Sequence, residues 1–364
     1  MKEEQQTQQQ QKKKRSNPLL AANMVLSVFT LLAVLGIVVL LLLPKGEEGF
    51  SLFKKKEEPS EEPVEMQITY TQEQVDEMVA ISIEEGKAQE EAQIKGYIRS
   101  EAESQSPSLA TILRTLYPEN FIYPGDGKFY FVEIDSSYPR NPYKKENHVT
   151  DENGYRYYRE NEEDKSVLCI DVSSHQGAID WPKVASSGVK AAMIRAGYRG
   201  YGSGKMVEDE QVVGNLQGAQ ANGIRAGVYY FSQAINEAEV DEEVQVLVDL
   251  VKPYDVVGPL AIDVEKLDAD TARGNTLSTE ERTRLVKYFC EKVKAAGYEP
   301  MIYGNAYSLF TMLDYSQIEE YPIWYAYYAE NLYFPYKLTM WQYSNTGKVN
   351  GISGQVDLNV MYKE

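Results

Sequence analysis

Four carboxylates stand where strand-like runs of the chain end. Asp171 follows Val167-Leu168-Cys169-Ile170, Asp263 and Glu265 lie in Leu260-Ala261-Ile262-Asp263-Val264-Glu265, and Asp357 lies in Val356-Asp357-Leu358-Asn359. Residues two apart on a strand project to the same face, so Asp263 and Glu265 point the same way. Two carboxyl groups in one place disfavour each other's ionisation, which raises the proton affinity of one partner. A protonated carboxylic acid beside a carboxylate that stays ionised is the equipment of glycoside hydrolysis. A lone Asp-x-Glu at a strand end ordinarily just faces water. Acidic residues at three strand ends within one repeating pattern weigh against that reading.

Composition removes most other chemistries. The chain has 364 residues, ample for a large core, with 37 basic and 55 acidic residues and a net charge of −18. That excess argues against a nucleic-acid partner, which calls for a basic face. The two histidines, His148 and His175, lie far apart, and Cys169 and Cys290 are the only two cysteines. No metal site, cofactor or disulfide framework is expected from such a set. Both cysteines fall on apolar faces and read as buried free thiols; His175 reads as a loop residue. Gly202-Ser203-Gly204-Lys205 is not a phosphate loop, because Arg199 and Met206 stand where that motif needs Gly and Ser or Thr. It reads as a flexible loop over a cleft.

The elements that must hold the carboxylates alternate. Strand-like runs at 167–172, 191–196, 224–231, 260–265 and 301–303 are separated by helical patterns at 181–187, 209–222, 237–251 and 278–296. Beyond residue 303 the helices shrink, and strand-like runs at 322–326, 338–343 and 356–359 follow at short spacing. Repeated βα units read as an α/β fold, an irregular TIM-like (β/α) barrel over 166–364, with its chemistry at the C-terminal ends of the strands.

Upstream, the character changes. Residues 19–43 carry no charge and are long enough, at 1.5 Å per residue, to cross a bilayer. They end in Leu43-Pro44-Lys45-Gly46 rather than in a small-residue cleavage site, so a retained transmembrane helix is expected. Residues 1–18 then form a basic cytoplasmic tail, with the body outside the cell membrane. Residues 44–106 read as a charged linker and a helical stalk that starts at the capping box Thr71-Gln72-Glu73-Gln74. The stalk's thin apolar stripe leaves a homo-oligomer and a solvated spacer both open. Residues 107–165 read as a small α+β module, with a helix start at Ser106-Pro107, a hairpin turn at Pro124-Gly125-Asp126-Gly127 and a further turn at Asn153-Gly154.

The body also resembles glycoside hydrolase family 25, the Chalaropsis-type lysozymes. The likeness begins at Asp171-Val172-Ser173-Ser174-His175-Gln176-Gly177-Ala178-Ile179-Asp180-Trp181 and runs through Ile194-Arg195-Ala196-Gly197-Tyr198, Gly227-Val228-Tyr229-Tyr230-Phe231 and Asp263-Val264-Glu265. Pro322-Ile323-Trp324-Tyr325-Ala326, Trp341-Gln342-Tyr343 and Val356-Asp357-Leu358-Asn359 complete it in family order. The resemblance implies a muramidase that cuts the β-1,4 bond between N-acetylmuramic acid and N-acetylglucosamine in peptidoglycan glycan strands. It implies Glu265 as general acid and Asp263 as the group that positions the substrate's N-acetyl arm or stabilises positive charge. Asp171 and Asp357 would line the subsite and help keep Glu265 protonated. Either a protein carboxylate or the acetamido oxygen could be the nucleophile. Tyr230 departs from the pattern, standing where many relatives carry histidine. Tyr198, Tyr229, Tyr303, Tyr325, Trp341 and Tyr343 fall at or near strand ends and are candidate stacking surfaces for sugar rings. The rival readings are a chitinase-like endo-N-acetylglucosaminidase and a non-catalytic wall-binding module.

Overall fold

The computed structural model describes residues 70–104, 108–254, 256, 258–269 and 271–363. The expected tail, membrane span and linker, with the Ser106-Pro107 helix start, lie outside the described residues. Among the described residues, no helix is long and apolar enough to cross a membrane. The chain divides into two units, Met1–Asp76 and Glu77–Glu364.

Helix α1, Gln72–Ala102, starts at the expected capping box: the Gln74 N–H donates to Thr71 Oγ1 at 3.3 Å, and the Thr71 N–H donates to Gln74 Oε1 at 2.9 Å. Such a cap is worth about 1 kcal/mol. None of its residues is buried, and Met78, Val79, Ile81 and Ile83 are exposed.

Helix α2, Leu109–Leu116, is capped by Ser108 and leads into the hairpin β1, Asn120–Gly125, and β2, Lys128–Glu133. The two-residue turn puts Asp126 at φ 47° and Gly127 at φ 74°, the left-handed pair that matches the twist of a tight hairpin. A three-stranded sheet follows: β3, His148–Thr150, β4, Arg156–Glu160, and β5, Glu163–Asp164. The sequence pattern makes 107–165 a module of its own. Phe121, Tyr123, Tyr155 and Tyr158 instead share one buried cluster with the barrel's outer wall, because fifty residues with so few apolar positions cannot enclose a core alone.

The barrel comprises β6, Ser166–Val172; α3, Trp181–Ser186; β7, Ala191–Arg199; β8, Met206–Glu208; α4, Val212–Ala221; β9, Arg225–Phe231; and α5, Glu237–Val251. It continues with β10, Leu260–Asp263; α6, Thr279–Ala295; β11, Pro300–Gly304; β12, Ile323–Ala326; β13, Met340–Gly347; and β14, Val356–Tyr362. Strand order is β6-β14-β13-β12-β11-β10-β9-β7, closed by β6 pairing with β7, with β8 appended to β7. Neighbours run parallel except β14, which is antiparallel to both β13 and β6, and β8, which is antiparallel to β7. After β11 a π-helical turn, Ser308–Met312, and a 3-10 turn, Tyr315–Gln317, stand where full helices would be among the described residues, as the shrinking periodicity indicates.

Period-2 alternation sorts the side chains. Cys169, Met193, Ala261, Met301, Trp324, Met340 and Met361 form the inner cluster, whereas Leu168, Ile170, Ile194, Val228, Ile262, Ile302 and Val360 join the outer one. The helices cover that outer face with stripes such as Leu285, Val286, Phe289, Cys290 and Val293 of α6, which Ser278 and Glu281 close with a capping box. Cys169 and Cys290 are both free and buried.

Candidate active site

The end of the barrel that carries the C-termini of β6 and β10 also carries the start of antiparallel β14. Asp357 is therefore the cross-strand partner of Asp171, although 186 positions separate them in the sequence. Asp263 is the last ladder residue of β10, paired with Tyr303 on one side and Phe231 on the other. The sequence pattern carries that strand on to Glu265; in the structure Glu265 lies two residues beyond its end.

Asp171 is buried and tightly held. Its Oδ2 accepts from Asn359 Nδ2 at 2.9 Å and from Gln342 Nε2 at 3.0 Å, and Gln342 Nε2 reaches Asp357 Oδ2 at 3.4 Å. Both amides are themselves oriented. Trp324 Nε1–H donates to Asn359 Oδ1 at 2.8 Å, and the hydroxyls of Tyr303 and Tyr328 donate to Gln342 Oε1 at 2.9 and 2.8 Å. An indole N–H can only donate, so the Asn359 NH2 group must face the carboxylate. Burial first, then the Asp357 charge, pushes the Asp171 carboxyl well above the ordinary range, against the opposing bonds from Asn359 and Gln342. Asp357 is also raised by burial, partly offset by its hydrogen bond with Asp171.

Asp263 and Glu265 form the second pair. Burial pushes Asp263 well up, and the Glu265 charge and the hydrogen bond between the two carboxyls add to it, with Arg195 opposing. Burial raises Glu265 as well, offset by the bond from Asp263. All four carboxyls therefore hold a proton more tightly than isolated, solvated ones would. The pairs also sense one another: Asp171 acts on Asp263 and Asp357 on Glu265. One atom stands out. Among the described residues, Asp263 Oδ1 is buried without a hydrogen-bond partner. Arg195 supplies the cation that opposes the rise at Asp263. It is fixed by Asp209 at 2.8 Å and by Ser174 Oγ at 3.1 Å.

The six aromatic candidates divide by strand parity. Tyr229 and Tyr303 lie inside the barrel against Trp324, at ring distances of 5.7 and 4.6 Å, where burial first and then the nearby carboxylates push both phenols up. Tyr198 is exposed at the end of β7, with the Arg195 guanidinium 5.7 Å from its ring centroid. Tyr325, Trp341 and Tyr343 need correction as sugar contacts, because their parity turns them to the outer face. Tyr325 packs on Phe334 at 4.4 Å. Trp341 is fully buried, its Nε1–H donating to Tyr327 O at 2.8 Å, and Tyr343 OH accepts from the Arg156 N–H at 3.1 Å. Tyr230 likewise faces outward, buried near Glu243 with its hydroxyl unpartnered among the described residues, so its departure from histidine does not touch the cleft.

Gln342, Asn359, Trp324 and Tyr328 were not among the sequence candidates. Asn359 shares the face of Asp357 two residues away, and the same count from Ala326 selects Trp324. For Tyr328, 51 % exposed in the segment after β12, no sequence signal exists. Among the described residues, no group of three or more His, Cys, Asp and Glu is arranged to hold a metal ion.

A closed barrel with two pairs of raised carboxyls at one end has the equipment of a carboxylate-dependent glycoside hydrolase. The sequence profile of Glycosyl hydrolases family 25 matches residues 170–352, half of the chain, and the protein belongs to that family. It is accordingly a glycoside hydrolase of the lysozyme class. It is 30 % identical over 196 residues to the uncharacterized protein YegX of Escherichia coli (strain K12), covering 52 % of this chain and 68 % of that one. It is 27 % identical over 203 residues to lysozyme M1 of Streptomyces globisporus, covering 53 % of this chain and 67 % of that one. The modular autolysin LytC of Streptococcus pneumoniae, solved with a synthetic peptidoglycan ligand, superposes with a TM-score of 0.50 at 27 % identity, over 59 % of this chain and 52 % of that one. This chain therefore spans about half the length of that autolysin.

Proposed function

We propose that the protein is a muramidase that cleaves the β-1,4 bond between N-acetylmuramic acid and N-acetylglucosamine, with Glu265 as the general acid. The observation that carries this reading is the Asp263–Glu265 pair: a buried and a half-buried carboxyl beside one another, both raised, with Asp263 Oδ1 left unpartnered. Moving a proton along their hydrogen bond onto Glu265 readies it to protonate the leaving oxygen. As the glycosidic bond breaks, Glu265 is left as the carboxylate, and Asp263, already ionised by that transfer, stands beside the sugar carbon that turns positive, where a fixed carboxylate is most stabilising. Its free Oδ1 is a ready acceptor for a substrate acetamido N–H, which would hold the N-acetyl oxygen near the reacting carbon. Asp171 and Asp357, on the opposite strands, keep the cleft negative and so favour the protonated form of Glu265. Tyr229, Tyr303 and Tyr198 are the aromatic surfaces in reach of the sugars.

The same reading places the enzyme at the cell membrane. Residues 19–43 serve as a single-pass anchor with the N-terminus inside, and the stalk carries the catalytic unit out to the wall for remodelling.

The test is digestion of purified wall by wild type and by Glu265→Gln, with identification of the sugar at each new reducing end. Muramic acid ends from wild type, and a loss of about 10²–10⁴-fold in the variant, are expected. Glucosamine ends would make the enzyme an endo-N-acetylglucosaminidase, and undiminished lysis by the variant would remove Glu265 from the acid role.

A further inference from the structure

Glu265 does most of the chemistry assigned above, yet the sheet does not hold it. The ladder of β10 ends at Asp263, whose carbonyl accepts from the Ser232 N–H at 2.9 Å, and among the described residues no strand pairs with residues 264–267. What fixes that segment is a set of side-chain tethers. On its far side Asn275 closes a two-way bond with Leu267, donating from Nδ2 at 2.7 Å and accepting at Oδ1 at 3.3 Å. On its near side the tether comes from outside the family-matched residues. Lys266 Nζ donates to Asp126 Oδ1 at 2.8 Å, and Tyr307 OH donates to Asp126 Oδ2 at 2.6 Å. Tyr130 OH also reaches Asp126 Oδ2, at 3.3 Å.

Asp126 can do this because the hairpin is anchored at its base. Tyr123 OH meets Thr311 Oγ1 at 2.9 Å, the Ile122 N–H donates to Tyr333 OH at 3.1 Å, and Phe121 packs on Phe310 and Tyr333 at 5.1 Å each. All three barrel partners belong to the connections after β11 and β12. The tip then fits closely: a Cβ at Gly125 would lie 2.6 Å from Tyr307 Cδ2, so only glycine allows the approach. The Asp126 carboxyl is held down to about 2, chiefly by the bonds from Lys266 and Tyr307, which keeps it ionised throughout any working range.

We propose that the β1–β2 hairpin is part of the catalytic apparatus, with Asp126 a positioning residue that holds the Glu265 segment through Lys266 and Tyr307. This inference rests on the general-acid reading of Glu265. The contact is half exposed, with Lys266 and Asp126 side chains 49 % and 43 % accessible, and such pairs add little to stability. Placement is a different matter, since a displacement of about 1 Å at a reacting group can cost about a hundredfold in rate. The two effects therefore separate.

The experiment compares the full-length protein with Asp126→Asn, Lys266→Met, Asp126→Glu and Gly125→Ala on solubilised wall fragments, with Glu265→Gln alongside. For Asp126→Asn and Lys266→Met, kcat should fall about five- to tenfold while KM stays within about twofold, a fraction of the loss a 1 Å displacement brings. The melting temperature should change by no more than about 1–2 °C, as befits a surface pair. Asp126→Glu should restore part of kcat, Gly125→Ala should reproduce the loss by wedging the tip off Tyr307, and the double variant should be no slower than either single one. Wild-type kcat in Asp126→Asn and Lys266→Met, with Glu265→Gln inactive, overturns the positioning role and leaves the general acid standing. An active Glu265→Gln overturns both.

Discussion

The two carboxyl pairs of the cleft are built in opposite ways. Asp171 and Asp357 sit on paired strands and are wired to Gln342 and Asn359, whose amides are locked in turn by Tyr303, Tyr328 and Trp324. Asp263 and Glu265 share one chain segment that runs off the end of the sheet, with one buried oxygen unpartnered. In the first pair two amide donors hold Asp171 and leave it little to offer a substrate, while Gln342 also reaches Asp357 at 3.4 Å. The second is under-satisfied and can gain bonds when substrate arrives. Stabilisation that appears only on the way to the transition state is what accelerates a reaction, so the unsaturated pair is where the chemistry belongs.

The sharpest way to break this comparison is to neutralise one member of each pair. Beside the loss expected for Glu265→Gln, Asp171→Asn should cost only about 10–100-fold in kcat/KM, since it acts through the field and through geometry. Equal losses would erase the distinction. Next in size, Gln342→Ala unties both acidic strands from Tyr303 and Tyr328 and should lower kcat about tenfold with little change in fold, a difference read by kinetics and circular dichroism. A smaller effect separates the inner face from the outer. Tyr303→Phe, which removes a donor to Gln342 inside the barrel, should slow turnover several-fold. Tyr343→Phe leaves the Arg156 N–H without its acceptor and should lower stability by about 1 kcal/mol with turnover unchanged.

The smallest expected signal is in stability against pH. The Asp171 carboxyl is raised in the folded state, so between its unfolded value of about 3.9 and its higher folded value the native protein binds the extra proton. Stability contributed at Asp171 is then greatest on the acid side and falls as pH rises through that window. Asp171→Asn removes the titration, so its melting temperature should gain on wild type as pH rises from about 4 to 8, by one carboxyl's share. A constant difference across that range would show that Asp171 is not raised.

Much of this was legible in the sequence because strand periodicity carries it. The positions of the barrel strands, the four carboxylates and the capped starts of α1 and α6 follow from runs of β-branched residues, an Asp-x-Glu and Ser or Thr followed by Glu or Gln. Parity is legible there too, and it separates the aromatics. Counting in twos from Asp357 leads to Asn359, and counting from Gln342 excludes Trp341 and Tyr343 from the cleft. Large aromatics at strand ends are as well suited to packing beneath a covering layer as to stacking on a sugar, and only the layer's position decides between them.

What the sequence by itself determined is local: which segments are strands and helices, which carboxylates lie on one face, where the turns fall and which chemistry the residue types permit. The tertiary structure decided what closure brings together. Asp171 meets Asp357 because β14 runs antiparallel into the gap between β13 and β6, a pairing across most of the barrel that no short-range spacing encodes. The raised carboxyls follow from burial at that closure, and the Asp126 tether follows from a hairpin folding back onto a segment 140 residues downstream. Periodicity reports the direction a side chain takes from its own backbone. Its environment, and so its proton affinity and its partners, depends on chain that is distant in sequence and near in space.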